Sequence, residues 1–191
     1  MLNTTIRCLR GAAVFGIASI PAGMGLIAPI WFARAPLGGA EFVIGFMLSG
    51  GIAGALWATS TSLATTVSKA SVAFGAGFTF PGIIIPFSLI SLQADSDFLW
   101  AAISWGSGLG LGAGVAGLIL VQLDRSQRSL LPLMAATAFL IGGMTCGPLA
   151  FALFGIACGS GAELWTFPIG LCMAYAVGGG LFAMICVTPA R

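Results

Sequence analysis

Histidine is absent from this chain and charge is scarce. Seven cations and five carboxylates make up only 6% of the residues. The missing histidine removes the usual general base, proton shuttle, haem ligand and imidazole metal ligand. A Ser-His or Cys-His hydrolase cannot be assembled from what remains. Every charged residue lies in a connection or at the end of an apolar run, never at its centre. Ion-driven pumps and proton relays usually bury an Asp, Glu or Lys at mid-membrane. Their absence argues against a self-contained proton- or cation-driven transporter. It leaves open a passive channel, a substrate-binding component, or Na⁺ held by carbonyls and hydroxyls. No enzyme activity is expected and no cofactor is implied.

Metal-ligand spacing is missing too. Cys8, Cys146, Cys158, Cys172 and Cys186 include no Cys-x-x-Cys pair, so zinc and iron–sulfur sites are poorly supported. Four of them sit inside apolar runs, where cysteine behaves as a small hydrophobe. Cys8, close to the start of the first run, is open to acylation.

What the chain has is hydrophobicity. Hydrophobic residues are 59% of it and the mean hydropathy is +1.09. An ordinary soluble domain carries about 25% charged residues. The 29 glycines show no three-residue period, which excludes a collagen-like chain. A spanning helix needs about 20 apolar residues, and six runs meet that length: 11–33, 42–64, 71–93, 98–123, 130–158 and 164–187. They are too long and continuous for barrel strands, which alternate polar and apolar over about 10 residues. The expected fold is an all-α bundle of six transmembrane helices in a single domain, several kinked by proline or glycine. The fifth run is the least regular. Gly142, Gly143, Gly147 and Pro148 interrupt it, and a bend or short non-helical stretch is expected there.

The first run raises the question of a signal peptide, because Arg7 and Arg10 precede it and Ala33-Arg34-Ala35 has a small-x-small pattern. The run exceeds the length of a signal-peptide core, and Pro36 would follow the cut directly. A retained first helix is therefore expected.

Charge sets the orientation. With the amino terminus on one side, that side collects Arg7, Arg10, Lys69, Arg125, Arg128 and Arg191 against Asp124 alone. The other side collects Glu41, Asp95, Asp97 and Glu163, with Arg34 as its cation. Short basic loops stay in the cytoplasm. Trp31, Trp100 and Trp165 fall near the acidic ends, where amphipathic rings favour the headgroup region. Both termini are expected inside, in a bacterial inner membrane. The net charge of +2 is spread over separate loops and carries no nucleic-acid signal.

Within the runs, small residues and prolines form the patterns. Gly106, Gly110 and Gly114 recur at four-residue steps, with Gly108 and Gly112 interleaved. Such spacing lets helix backbones approach closely in lipid. It reads as a packing seam, within the chain or in self-association or against another membrane subunit, or as backbone lining a pore. Pro21 and Pro29, Pro81 and Pro86, Pro148, and Pro168 punctuate four of the runs. A mid-membrane proline frees a carbonyl that must find a partner or line a cavity. Thr79-Phe80-Pro81 and Thr166-Phe167-Pro168 share a tripeptide, which allows a 3+3 inverted repeat of the kind many transporters use. Thr59, Ser62, Thr66 and Lys69 share one helix face. That face is a polar track, or a helix leaving the bilayer with its hydroxyls bonded one turn back.

In size and number of spans the chain resembles the small substrate-binding components of energy-coupling vitamin transporters, a likeness of layout that no ligand motif accompanies. Two functions follow. One is a small permease, channel or transport-complex subunit for a neutral or lipophilic solute, with Thr79, Pro81, Thr166 and Pro168 at its site and the Thr59–Thr66 face beside them. The other is a non-catalytic structural or assembly subunit of a larger membrane complex.

Overall fold

The computed structural model describes residues 2–28, 39–60, 66–90, 98–125, 127, 129–157, 159–160 and 163–186. Ser62 and Cys158, the Ala33–Pro36 segment, Trp31, Asp95, Asp97, Arg128 and Arg191 lie outside the described residues. All secondary structure among the described residues is helical: α1 (Leu2–Ala18), α2 (Ile20–Ala28), α3 (Gly39–Ser60), α4 (Val67–Gly77), α5 (Thr79–Ile90), α6 (Phe98–Leu123), α7 (Leu131–Ala157) and α8 (Glu163–Cys186). Helix is what an apolar run must adopt in hydrocarbon, because every backbone N–H and C=O then bonds within its own segment. Six helices are long and apolar enough to cross a membrane, with α1 and α2 together forming one and α4 and α5 another.

Both composite spans are interrupted just before a proline. In the first span the break falls at Ser19, two residues before Pro21. The Ser19 N–H divides itself between the carbonyls of Phe15 (3.1 Å) and Gly16 (3.3 Å). In the third span the break falls at Phe78, three residues before Pro81. Phe78 sits at φ −75°, ψ 5°, in the bridge region between helix and strand. Proline lacks the N–H that the preceding turn needs, so the ladder loosens upstream of it. In the fifth span the short non-helical stretch allowed by the sequence is not found. α7 is helical throughout and contains Pro148. Its glycines serve close packing: a Cβ at Gly142 would lie 2.5 Å from the Ala174 carbonyl oxygen, and one at Gly147 would lie 3.0 Å from Trp105 Cβ. Past the end of α7, Gly159 takes φ 82°, the left-handed conformation that lets a chain leave a helix. Helical structure also starts at Leu2, upstream of the apolar run, so Arg7 and Arg10 ride on α1.

The spans close into a ring. Each packs on the next in sequence, and the sixth returns to pack on the first. Small residues hold the seams together. Gly106, Gly110 and Gly114 face α7, where added Cβ atoms would meet Met144, Leu140 and Ala136. Gly108 and Gly112 face the third span, where they would meet Ile85 and Pro81. The glycine seam of the fourth span is thus occupied on two faces from within the chain. The last span aligns with the first in the same manner, with Gly23 against Pro168 and Gly16 against Ala176.

Large side chains divide between the centre and the rim. Phe15, Phe46, Trp57, Phe74, Phe78, Phe139, Tyr175 and Phe182 are all buried and belong to one core cluster. Ile17, Leu48, Val72, Leu111, Leu133 and Ile169 are exposed, one on each span. In water such a rim would be costly. Against lipid tails it costs nothing, and the association of helices is left to close packing.

Candidate functional site

The centre of the ring is filled by buried aromatic side chains in mutual contact. Phe15 and Phe139 lie edge to face with centroids 5.1 Å apart, and Phe78 and Phe139 with centroids 5.4 Å apart. Tyr175, on α8, reaches across the ring. Its centroid is 5.1 Å from that of Phe78, 6.2 Å from Phe139 and 6.4 Å from Phe46. One tyrosine therefore touches aromatic rings of the second, third and fifth spans. Its contact with Phe78 meets the third span at the helix break itself.

A small polar patch adjoins this aromatic centre. Ser19, at the break of the first span, donates from its hydroxyl to the Gly16 carbonyl (2.6 Å) and toward Cys172 Sγ (2.9 Å). Cys172 stands one turn before Tyr175 on α8. From α3, Ser49 accepts the Ala22 backbone N–H at 2.8 Å. Both serines are fully buried. The break in the first span is thus tied down on two sides, by Ser49 of α3 and by Cys172 of α8. Ser104 and Thr166 are the other buried serine or threonine residues among the described residues. Ser104 returns its proton to the Trp100 carbonyl at 2.8 Å.

Two polar atoms in the interior have no hydrogen-bond partner among the described residues. They are the Tyr175 hydroxyl oxygen and the Trp105 indole nitrogen. Trp105, on α6, lies over Gly143 and Gly147 of α7, and its indole reaches toward Gly170 of α8. Such orphans are uncommon inside proteins and each calls for an explanation.

The residues singled out in the sequence fall around this centre rather than in it. Thr79 is half-buried and donates to the Ala76 carbonyl at 2.7 Å. Pro81, on α5, is buried against the fourth span, with its Cδ 2.7 Å from where a Cβ at Gly112 would stand. Thr166 and Pro168 are buried on α8. Pro168 packs on Gly23, where an added Cβ would lie 3.1 Å from the proline Cβ. Each Thr-Phe-Pro proline thus rests on a glycine of the next span round the ring. The third and sixth spans meet instead through Phe78 and Tyr175. Thr59 is exposed and donates to the Leu56 carbonyl at 2.9 Å, and Thr66 is exposed with its hydroxyl 3.3 Å from that of Ser68.

Ser19, Ser49, Trp105 and Tyr175 were not signalled by sequence. Tyr175 offered one clue, being the sole tyrosine of the chain and placed mid-run. No cluster of His, Cys, Asp or Glu able to hold a metal occurs among the described residues.

No protein-family model, curated protein or solved structure matches this chain. The likeness to vitamin-transporter components therefore rests on layout alone, and fold-level layout does not assign function.

Proposed function

We propose that this chain is a small multi-pass transport protein, a permease, channel or transport-complex subunit, for a neutral or lipophilic solute. The proposed setting is a bacterial inner membrane with both termini in the cytoplasm, as the basic and acidic ends of the spans favour. One observation carries the reading. Two spans are interrupted well inside their apolar stretches, at Ser19 and Phe78, and both breaks touch the same turns of α8 through Cys172 and Tyr175. Broken helices meeting at one place are a common construction for solute sites in transporters. The aromatic side chains at the centre and the lack of buried charge among the described residues favour an uncharged solute. The two Thr-Phe-Pro segments flank this place, and an inverted relation between the halves remains part of the proposal. No catalytic step is included.

The test is flux. Purified protein in liposomes should pass neutral solutes faster than empty liposomes do. Replacing Phe78 with alanine should change that rate, and replacing Thr79 and Thr166 together with valine should lower it. No flux above empty liposomes, for polar and lipophilic neutral solutes alike, would sink the transport reading.

The packed state of the centre favours a second reading. Rings from the first, third, fifth and sixth spans touch there, as in a purely structural core. A subunit of this kind would co-purify with stoichiometric partners in mild detergent. Its partners would use the lipid-facing rim, because the fourth-span glycines are filled from inside.

A further inference from the structure

We infer that the Tyr175 hydroxyl is the recognition group for a lipophilic, uncharged molecule bearing a carbonyl oxygen. The inference rests on reading the ring as a solute-handling one, and it names the solute's chemistry.

The Tyr175 side chain is fully buried, and its hydroxyl has no partner among the described residues. A tyrosine buried without a partner loses the hydrogen bonds it had in water and gains none. Phenylalanine would fill the same place without that cost. The neighbours are already phenylalanines: Phe46, Phe78 and Phe139. A hydroxyl held in such company points to a partner that arrives from outside the chain.

The surroundings restrict what that partner is. No charged side chain is buried among the described residues, so a charged solute would find no counter-ion. Three phenyl rings around the tyrosine suit a flat or chain-like apolar body. The second orphan, Trp105 Nε1, can only donate a hydrogen bond, and the tyrosine hydroxyl can donate too. Both interior orphans therefore lack an acceptor, and a carbonyl oxygen supplies one. Phe78 packs on Tyr175 with ring centroids 5.1 Å apart, so the bound molecule would take the place of that contact.

The experiment uses the full chain in nanodiscs and two probes that differ only in oxygen: a benzoquinone with a ten-carbon chain, and decylbenzene. A ligand that binds the folded state raises its unfolding temperature in a saturable manner. The quinone should do so at lower concentration than decylbenzene. In Tyr175→Phe the quinone should bind about fivefold more weakly, the worth of one neutral hydrogen bond, and decylbenzene should be unaffected. Without ligand, Tyr175→Phe should unfold at the same temperature as the native chain or higher. A lower unfolding temperature would mean that the hydroxyl serves the fold, and would overturn the inference. So would an equal response to both probes in the native chain, or an undiminished quinone response in the variant. Carbonyl-dependent binding without any flux in liposomes would sink the transport reading and leave the recognition role of Tyr175 standing. Flux of other neutral solutes without a carbonyl-dependent response would do the reverse.

Discussion

Phe15 and Phe139 pack edge to face with ring centroids 5.1 Å apart, joining the first and fifth spans, which are not neighbours around the ring. Phe139 also touches Phe78, Tyr175 and Phe182. It is therefore one of the side chains that fill the ring. In lipid the transfer of a phenyl group from water is not the driving force. What Phe139→Ala loses is dispersion contact, and what it leaves is a cavity. The expected cost is about 2–4 kcal/mol, read from unfolding in mixed micelles with increasing dodecyl sulfate. A loss near zero would mean that the centre is not packed.

The seams make a second prediction, because a glycine there has backbone for a neighbour. A Cβ at Gly77 would stand 2.6 Å from the Ala116 nitrogen and 2.7 Å from its Cβ. Neither can rotate away. Gly77→Ala should push α4 off α6 and cost about 1–3 kcal/mol. Gly155, also within a helix, has nothing within 4 Å of its added Cβ. Gly155→Ala should be neutral or slightly stabilising. The same micelle assay compares the two, and equal effects would contradict the seam.

The contrast between those glycines marks how far sequence carries. The six apolar helices were legible, because runs of about 20 apolar residues have one stable form in a bilayer. So were the interleaved glycines of the fourth span, since positions two apart on a helix face different ways. Which span each face meets was not legible. The runs are apolar on all sides, so no hydrophobic stripe points inward, and the closed order appears only in three dimensions. The prolines announced trouble in the first and third spans, yet the breaks lie upstream at Ser19 and Phe78. Pro148 announced the same in the fifth and left α7 helical. At the site, Tyr175 reads in sequence as one more aromatic of an apolar run. Only its surroundings reveal a hydroxyl without a partner.

Ser49 supports a third prediction. Its hydroxyl accepts the Ala22 N–H at 2.8 Å, at the place where the first span resumes after its break. Ser49→Ala leaves that amide without its acceptor in a buried position. Interhelical hydrogen bonds in membranes average about 0.6 kcal/mol, and a stranded amide adds to that, so a loss of about 1 kcal/mol is expected. Hydrogen exchange gives the sharper readout. The Ala22 amide should exchange faster in the variant, while amides at the middle of α6 keep their protection. Unchanged exchange at Ala22 would show that the amide does not depend on Ser49.

Orientation yields the last prediction. Arg7 and Arg10 lie near the start of the first span, Lys69 near the start of the third and Arg125 just past the end of the fourth. Successive spans run in opposite directions, so these four cations share one side of the membrane. Glu41 is exposed near the start of the second span, on the opposite side. Basic loops are retained in the cytoplasm, so Lys69 should be inside and Glu41 outside. Cysteine placed at either position reports this through a membrane-impermeant maleimide, with Cys8 replaced by serine to remove the half-buried thiol beside Arg7. In intact cells Glu41→Cys should label at once and Lys69→Cys only after permeabilisation. The reverse pattern would invert the orientation, and the carboxylates would then face the cytoplasm against the charge bias.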